Sequence, residues 1–277
     1  LDSKSDLAIA NSTSLGFGNR RGTIFSLNFK NSNYSIVENI RALSLEWNSF
    51  FSSAISNNMI FSYRHHDESR EDQGQLFPFV DILKDGITYT SFGTEPFSPY
   101  NGLTYSTIQF QDNLSLIHKA HTFLFGFNIE RFQSVDQFCP AGQSIYVFNS
   151  LEDFYNDANG YISNPNRNVS SVNLKKFQYR YSNIPNQTIP IQKLKVWYAG
   201  LYAQDEWNIR NNLNLISGLR IDVPFFESTG YKNTEVDTLT FRDANGKAVH
   251  FSTDKLPNSN PLFSFRIGFN WDVLNNS

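Results

Sequence analysis

The sequence predicts an all-β protein whose antiparallel strands cross a membrane as a barrel, and three observations carry this prediction. Apolar and polar residues alternate with a period of two in seven segments, as they do in strands with one apolar and one polar face. Short connections alternate with long ones along the chain. Aromatic residues make up 16% of the 277 residues, and several large ones fall near segment ends. A bacterial outer-membrane barrel combines these features, because it has short periplasmic turns, long extracellular loops and aromatic girdles.

The seven segments form three hairpins and one final strand. The hairpins are expected at about 38–66, 104–132 and 194–222, and the last strand at 262–271. The residues assigned to the apolar face are Leu43, Leu45, Trp47, Met59, Phe61, Tyr63, Ile108, Phe110, Leu114, Leu116, Phe123, Phe125, Phe127, Ile129, Trp197, Leu201, Ala203, Leu213, Leu215, Leu219, Ile221, Phe263, Phe265, Ile267, Phe269 and Trp271. An eighth, weaker strand is expected near Thr23 to Phe29.

Long loops are expected at about 67–103, 133–193 and 223–261. A compact soluble domain rarely contains structureless connections longer than about 15 residues, so three of them favour the membrane barrel. The first loop contains three prolines, which resist ladder pairing. A soluble β-sandwich would also alternate apolar and polar residues, and it stays open as the alternative at this point.

The second long loop contains local structure of its own. A short strand is expected at Ile145 to Phe148. Ser150 follows with Asp153 three residues later, which is typical of a helix N-cap with an acidic residue in the first turn. One or two helical turns are expected to end near Ala158. The stretch after the helix is rich in Asn, Ser and Pro and indicates an exposed loop.

Composition and charge exclude several classes of function. The net charge is −3, which argues against a nucleic-acid partner, since such proteins carry a basic excess. The single cysteine, Cys139, excludes a disulfide framework and a thiolate zinc cluster. His65, His66, Asp67 and Glu68 are adjacent, but neighbouring strand residues point to opposite faces, so one metal ion could not collect all four. The sequence predicts no enzyme, no metal site and no cofactor.

The segment YAGLYAQDEWNIRNNLNLISGLRIDVP, which spans Tyr198 to Pro224, resembles a hairpin of TonB-dependent outer-membrane receptors. The stretch NPLFSFRIGFNWDV resembles the downstream strand of the same family, and HTFLFGFNIERF resembles its upstream hairpin. The resemblance is nearest to the type with an N-terminal carboxypeptidase-regulatory-like domain. The residues that carry the first resemblance are Tyr202, Gln204, Asp205, Trp207, Leu213, Leu215, Gly218, Leu219, Arg220 and Asp222.

This resemblance implies a 22-stranded barrel in the outer membrane of a Gram-negative bacterium, of which residues 1–277 would be a segment without the plug domain and the TonB box. Its implied function is the uptake of a scarce or bulky nutrient with TonB-coupled energy. The implied partners are outer-membrane lipid, the protein's own plug domain, the TonB complex and a surface lipoprotein. Siderophore, glycan, peptide and cobalamin all stay open as the substrate.

Polar residues on the strands would then face the lumen and meet the plug or the substrate. Glu130, Arg220, Asp222 and Arg266 are the candidates near the extracellular end. Two alternative functions stay open: a non-transporting barrel, such as an adhesin or assembly subunit, and a soluble all-β binding module.

Overall fold

The computed structural model describes residues 4–19 and 27–273. In chain order the elements are β1 (Lys4–Asn19), β2 (Leu27–Asn28), a 3-10 turn (Lys30–Ser32), β3 (Tyr34–Phe50), β4 (Ile55–Asp72), β5 (Phe79–Lys84), β6 (Ile87–Phe92), β7 (Asn101–His118), β8 (His121–Phe138), β9 (Ile145–Phe148), α1 (Leu151–Ser163), β10 (Lys176–Gln178), β11 (Ile191–Arg210), β12 (Leu213–Phe226), α2 (Thr234–Asp237), β13 (Phe241–Arg242), β14 (Ala248–Val249) and β15 (Leu262–Trp271).

One eight-stranded antiparallel sheet, in the order β1-β3-β4-β7-β8-β11-β12-β15, dominates the fold. The predicted all-β, antiparallel class is therefore confirmed. The strands of the three hairpins extend several residues beyond the expected ends on the side of the long loops, so that β4 reaches Asp72 and β8 reaches Phe138. Within the described residues β1 pairs only with β3, and β15 pairs only with β12, so the sheet is open at both edges.

The eighth strand expected near Thr23 to Phe29 lies mostly outside the described residues. Residues 23–26 lie outside the described part of the chain, and Leu27–Asn28 is a two-residue strand that pairs in parallel with β6 in another sheet. The eighth strand of the large sheet is Lys4–Asn19, which pairs with β3 over its whole length. The sequence pattern missed it because, after Ile9, small polar residues and glycines interrupt the apolar alternation.

The strand register fixes which residues share a face, because directly paired residues of an antiparallel sheet point to the same side. Trp47 pairs with Met59, Met59 with Asp112, and Asp112 with Phe127. Continuing such rows places every residue predicted to be apolar-facing on one side of the sheet, which we call the apolar face. The other side, which carries Glu130, Arg220 and Arg266, is the polar face.

The apolar face is not covered by a second layer of protein. Phe125 is 45% exposed, Phe263 is 61% exposed and Phe265 is 79% exposed. The fully buried apolar residues lie mainly outside this face. A soluble sandwich would bury such a face against a second sheet, so these exposures contradict the sandwich alternative.

The main apolar core lies in a small unit built from the long connections, which we call the loop domain. The loops between β4 and β7 and between β8 and β11 build most of a five-stranded sheet in the order β10-β9-β5-β6-β2. Val80, Ile82 and Phe148 form its buried core, against which Phe92 and Phe154 pack. The expectation of an unpaired loop is wrong for residues 79–92, because they form an antiparallel hairpin.

Helix α1 packs against this sheet. Its N-cap is Ser150, whose hydroxyl accepts a hydrogen bond from the Asp153 amide (3.0 Å), as the sequence predicts. The helix runs to Ser163 rather than to Ala158. Within residues 4–19 and 27–273, no helix has the length and apolar character needed to cross a membrane.

Candidate functional site on the polar face

Tyr202 on β11 lies at the centre of a polar cluster. Its hydroxyl donates a hydrogen bond to Asn113 Oδ1 on β7 (2.5 Å), so the side chain spans the whole of β8. Gly126 on β8 makes this possible, because a Cβ atom at that position would lie 2.4 Å from the Tyr202 ring. Glycine within a strand often marks such a close approach.

Arg220 on β12 adds the charged part of the cluster. Its Nε and Nη2 atoms donate to the two carboxylate oxygens of Asp222 (both 2.7 Å), and Nη2 also donates to Asn128 Oδ1 (2.7 Å). The guanidinium carbon lies 5.2 Å from the centre of the Tyr202 ring, within the range of a cation–π interaction. Asn113, Asn128, Tyr202, Arg220 and Asp222 together form what we call the Tyr–Arg cluster.

Gly200 leaves the space into which these polar groups converge. A Cβ atom there would lie 2.4 Å from Asn128 Oδ1, 2.5 Å from Asp222 Oδ1 and 2.8 Å from Arg220 Nη2. The backbone of β11 therefore forms the floor of the charged part of the cluster. Arg220 and Asp222 remain 40% and 26% exposed, so the bidentate pair is open to water on the polar face.

Arg266 on β15 lies beside this cluster. It lines a groove of about 300 Å³ together with Tyr202, Gln204 and Arg220. Its Nη1 atom donates a long hydrogen bond to Gln204 Oε1 (3.3 Å), and it makes no ion pair with a described residue. An anionic group in this groove would meet a guanidinium that no carboxylate neutralises, unlike that of Arg220.

Glu130 lies in a different groove. This groove of about 530 Å³ crosses β3, β4, β7 and β8 on the polar face, and Arg64 and Gln109 also line it. The structure therefore brings three of the four candidate residues together, Arg220, Asp222 and Arg266, and places Glu130 apart from them.

Sequence reasoning did not identify Tyr202 and Gly126 as a functional pair. The sequence places Tyr202 in the motif that resembles the receptor family, and Gly126 alternates with the phenylalanines of its strand. The signal that could have found them is a glycine in the middle of a strong strand, next to a strand with a large aromatic residue.

Other candidate positions make no site. His65 lies on the apolar side, whereas His66 is only 9% exposed and stacks on Tyr105 on the polar side. The described residues contain no group of three or more His, Cys, Asp or Glu side chains that could hold a metal ion. Asp205 lies on the apolar side beside His121, with 2.9 Å between Nδ1 and Oδ2.

The polar cluster, the uncovered apolar face and the open sheet agree with what a comparison with known families finds. A family model described as an outer membrane beta barrel domain matches residues 7–277. The chain belongs to this family. This outer membrane beta barrel domain is therefore located in the outer membrane of a Gram-negative bacterium. No curated protein and no solved structure matches the chain.

Proposed function

We propose that the chain is part of the barrel of a TonB-dependent outer-membrane receptor that takes up a scarce or bulky nutrient. The observation that carries the proposal is the position of the residues that resemble this receptor family. Tyr202, Arg220 and Asp222 belong to the resembling segment, and all three meet in one cluster on the polar face.

The open sheet supports a barrel larger than eight strands. Unpaired backbone groups at the edge of a sheet find no partner in hydrocarbon, so a membrane sheet must close on itself. We propose that further strands continue from β1 and β15 to a barrel of 22 strands, whose lumen a plug domain fills. The Tyr–Arg cluster and Arg266 then contact the plug or the substrate.

The mechanism that follows from this proposal is capture and gating without covalent chemistry. The loop domain binds the nutrient on the extracellular side. The groove at Arg266 lies further along the passage, because Arg266 pairs with Gly218 and Gly218 with Gln204, which is closer to the short-turn end of β11 than to its long-loop end. Energy delivered through TonB displaces the plug, and the polar face becomes the wall of the passage. Its hydrogen-bonded network gives the wall a fixed shape while the plug moves.

The experiment compares a deletion of the full-length gene with a deletion of tonB in the same strain. Growth is measured with single limiting sources of iron chelates, cobalamin, peptides and glycans. We expect both deletions to lose growth on the same nutrient, and the purified periplasmic domain of TonB to bind the full-length receptor. A non-transporting adhesin or assembly subunit would show neither effect, and that result would overturn the proposal.

A further inference from the structure

The apolar face becomes basic at its extracellular end. On β11 the two tryptophans of this face, Trp207 and Trp197, lie ten residues apart, and both are about 40% exposed. At about 3.4 Å per residue and a strand tilt of about 40°, this spacing corresponds to about 26 Å across the membrane. The two tryptophans therefore lie at the two interfaces of the apolar band, which is about 25 Å tall in such barrels.

A groove lies immediately above the upper interface on the same side of the sheet. It has a volume of about 410 Å³ and crosses β4, β7, β8 and β11. Its lining includes His65, Ser106, Gln133 and Lys195, which are paired with one another in consecutive strands. This row lies two residues above the row that contains Tyr63 and Trp197, so the groove opens at the height of the lipid headgroups.

The groove offers positive charge and hydrogen-bond donors. Lys193 also lines it, is exposed, and makes no ion pair with a described residue. Lys195 Nζ lies 3.4 Å from Glu227 Oε2. Glu227 also lies 3.6 Å from Arg131 and accepts a hydrogen bond from Trp197 Nε1 (3.1 Å).

Glu227 therefore neutralises only part of this positive charge. The hydrogen bond from Trp197, and then the one from Lys195, hold the pKa of the Glu227 carboxyl below its ordinary value. Two basic side chains, Arg131 and Lys195, contact this carboxylate. The other nearby carboxylate, Asp67, accepts a hydrogen bond from Thr104 (3.3 Å). With Lys193, the basic side chains outnumber the two carboxylates, so a net positive charge faces the groove. Among the described lining residues no carboxylate opposes it.

We propose that this groove binds a phosphate of the phosphorylated glycolipid in the outer leaflet of the outer membrane. Lys193 and Lys195 contact the phosphate, and the Ser106 hydroxyl and the Gln133 amide, which are hydrogen-bonded to each other (2.9 Å), offer donors on the groove floor. The proposal rests on the membrane location of the chain and is independent of nutrient uptake.

The surface below the groove favours a lipid over a soluble anion. Ile108 lies on the apolar face in the row of Trp197, at the upper interface, and Ile129 lies one row below it on the same face. Both are 42% exposed. An amphiphile bound through its phosphate would lay its acyl chains along this surface. A soluble anion would gain nothing from it. We assign the ligand as a lipid because one amphiphile matches both the basic groove and the apolar surface below it.

The test uses the full-length protein in detergent, with native mass spectrometry to count bound diphosphorylated lipid A during a titration. The double variant Lys193→Gln/Lys195→Gln is compared with Lys232→Gln/Lys247→Gln, whose lysines lie in the loop between β12 and β15. A basic residue near an anionic lipid surface contributes enough for roughly a fivefold change in affinity. Because Glu227 partly neutralises Lys195, we expect the first variant to bind roughly tenfold more weakly and the second to bind like wild type.

Three further arms separate the sources of binding. Dephosphorylated lipid A should bind wild type about as weakly as lipid A binds the first variant, and added salt should weaken only phosphate-dependent binding. An excess of inorganic phosphate should compete poorly. Unchanged heat-modifiable migration in gels shows that the variants are folded. Equal binding by the two variants, equal binding of dephosphorylated lipid, or efficient competition by inorganic phosphate would each overturn the proposal.

Discussion

Replacing Gly126 by alanine tests whether the Tyr–Arg cluster stabilises the barrel. The new Cβ atom would lie 2.4 Å from the Tyr202 ring, so the ring must move. Moving it breaks the hydrogen bond to Asn113, which contributes about 0.5–1.5 kcal/mol. It also breaks the cation–π contact with Arg220, which contributes about 0.5–1 kcal/mol at an exposed site. Since alanine itself favours a strand over glycine by about 0.5–1 kcal/mol, we expect the free energy of unfolding to fall by up to about 2 kcal/mol.

Gly268 provides the matched control on the same face. The nearest atom to its added Cβ is Ile216 Cβ at 4.0 Å, so alanine fits there without a clash. Alanine in place of a strand glycine stabilises by about 0.5–1 kcal/mol when it fits. Gly126→Ala and Gly268→Ala should therefore differ in sign, although both make the same chemical change.

The assay is urea unfolding of the full-length protein in lipid vesicles, in which heat-modifiable gel migration reports the folded fraction. In a background of Tyr202→Ala the clash disappears, so Gly126→Ala should then cost no stability. The double-mutant cycle should give a coupling of about 1–3 kcal/mol between the two positions. Equal effects of Gly126→Ala and Gly268→Ala, or additive effects of Gly126→Ala and Tyr202→Ala, would refute this reasoning.

Three further predictions concern the apolar face and the loop domain. Phe125→Arg should lower the free energy of unfolding in vesicles by about 2–4 kcal/mol, whereas Phe125→Leu should cost less than half as much; similar costs would contradict a lipid-facing position. Asp112 accepts a hydrogen bond from Asn57 (2.7 Å) on the apolar face. Since polar groups are costly in hydrocarbon, the double variant Asp112→Leu/Asn57→Leu should raise the free energy of unfolding by about 1 kcal/mol or more in the same assay. A loss of stability would contradict this. Burial opposes ionisation of Asp157, but hydrogen bonds from Ser170, Arg167 and the Ser171 amide outweigh it and lower its pKa. The resulting stabilisation of α1 is present above the ordinary carboxyl pKa and is lost as the pH falls through the lowered one; hydrogen exchange corrected for intrinsic rates should show α1 opening in acid, and Asp157→Asn should remove this pH dependence.

The large sheet could be predicted because each strand has one apolar side and one polar side. Phe123, Phe125 and Phe127 alternate with polar or small residues, and only a strand with two different environments requires that period. The short turns, such as the one at residues 119–120, fixed which strands are neighbours. Lys4–Asn19 was missed because its pairing with β3 is seen in the register and not in its own alternation.

The loop domain was missed for a different reason. Its hairpin turns at Asp85 and Gly86, which both have positive φ, and Asp-Gly between apolar runs is a strong hairpin signal. The three prolines in the same loop favour the opposite expectation, because proline resists ladder pairing. The parallel pairing of β5 with β9 joins residues 66 positions apart, and no local pattern indicates such a contact.

The candidate site was only partly readable from single strands. Arg220 and Asp222 are two residues apart, so they share a face in any strand, and their bidentate pairing follows from that spacing. The position of Glu130 relative to Arg220 depends on the register across β8, β11 and β12, which one sequence does not state. For the same reason the contact of Tyr202 with Gly126 could not be derived from either strand alone.

A membrane barrel requires that the apolar face of the sheet meets lipid and that the polar face meets water. The most direct measurement places a nitroxide spin label at each of residues 122–129 in turn, in full-length protein that carries Cys139→Ser, in vesicles. Accessibility to oxygen and to a water-soluble nickel chelate is then measured by electron paramagnetic resonance. We predict that oxygen accessibility is high at Phe123, Phe125, Phe127 and Ile129 and low at the residues between them, with the chelate showing the opposite pattern. Equal accessibility along the strand, or oxygen maxima at the even-numbered positions, would show that the apolar face does not meet lipid.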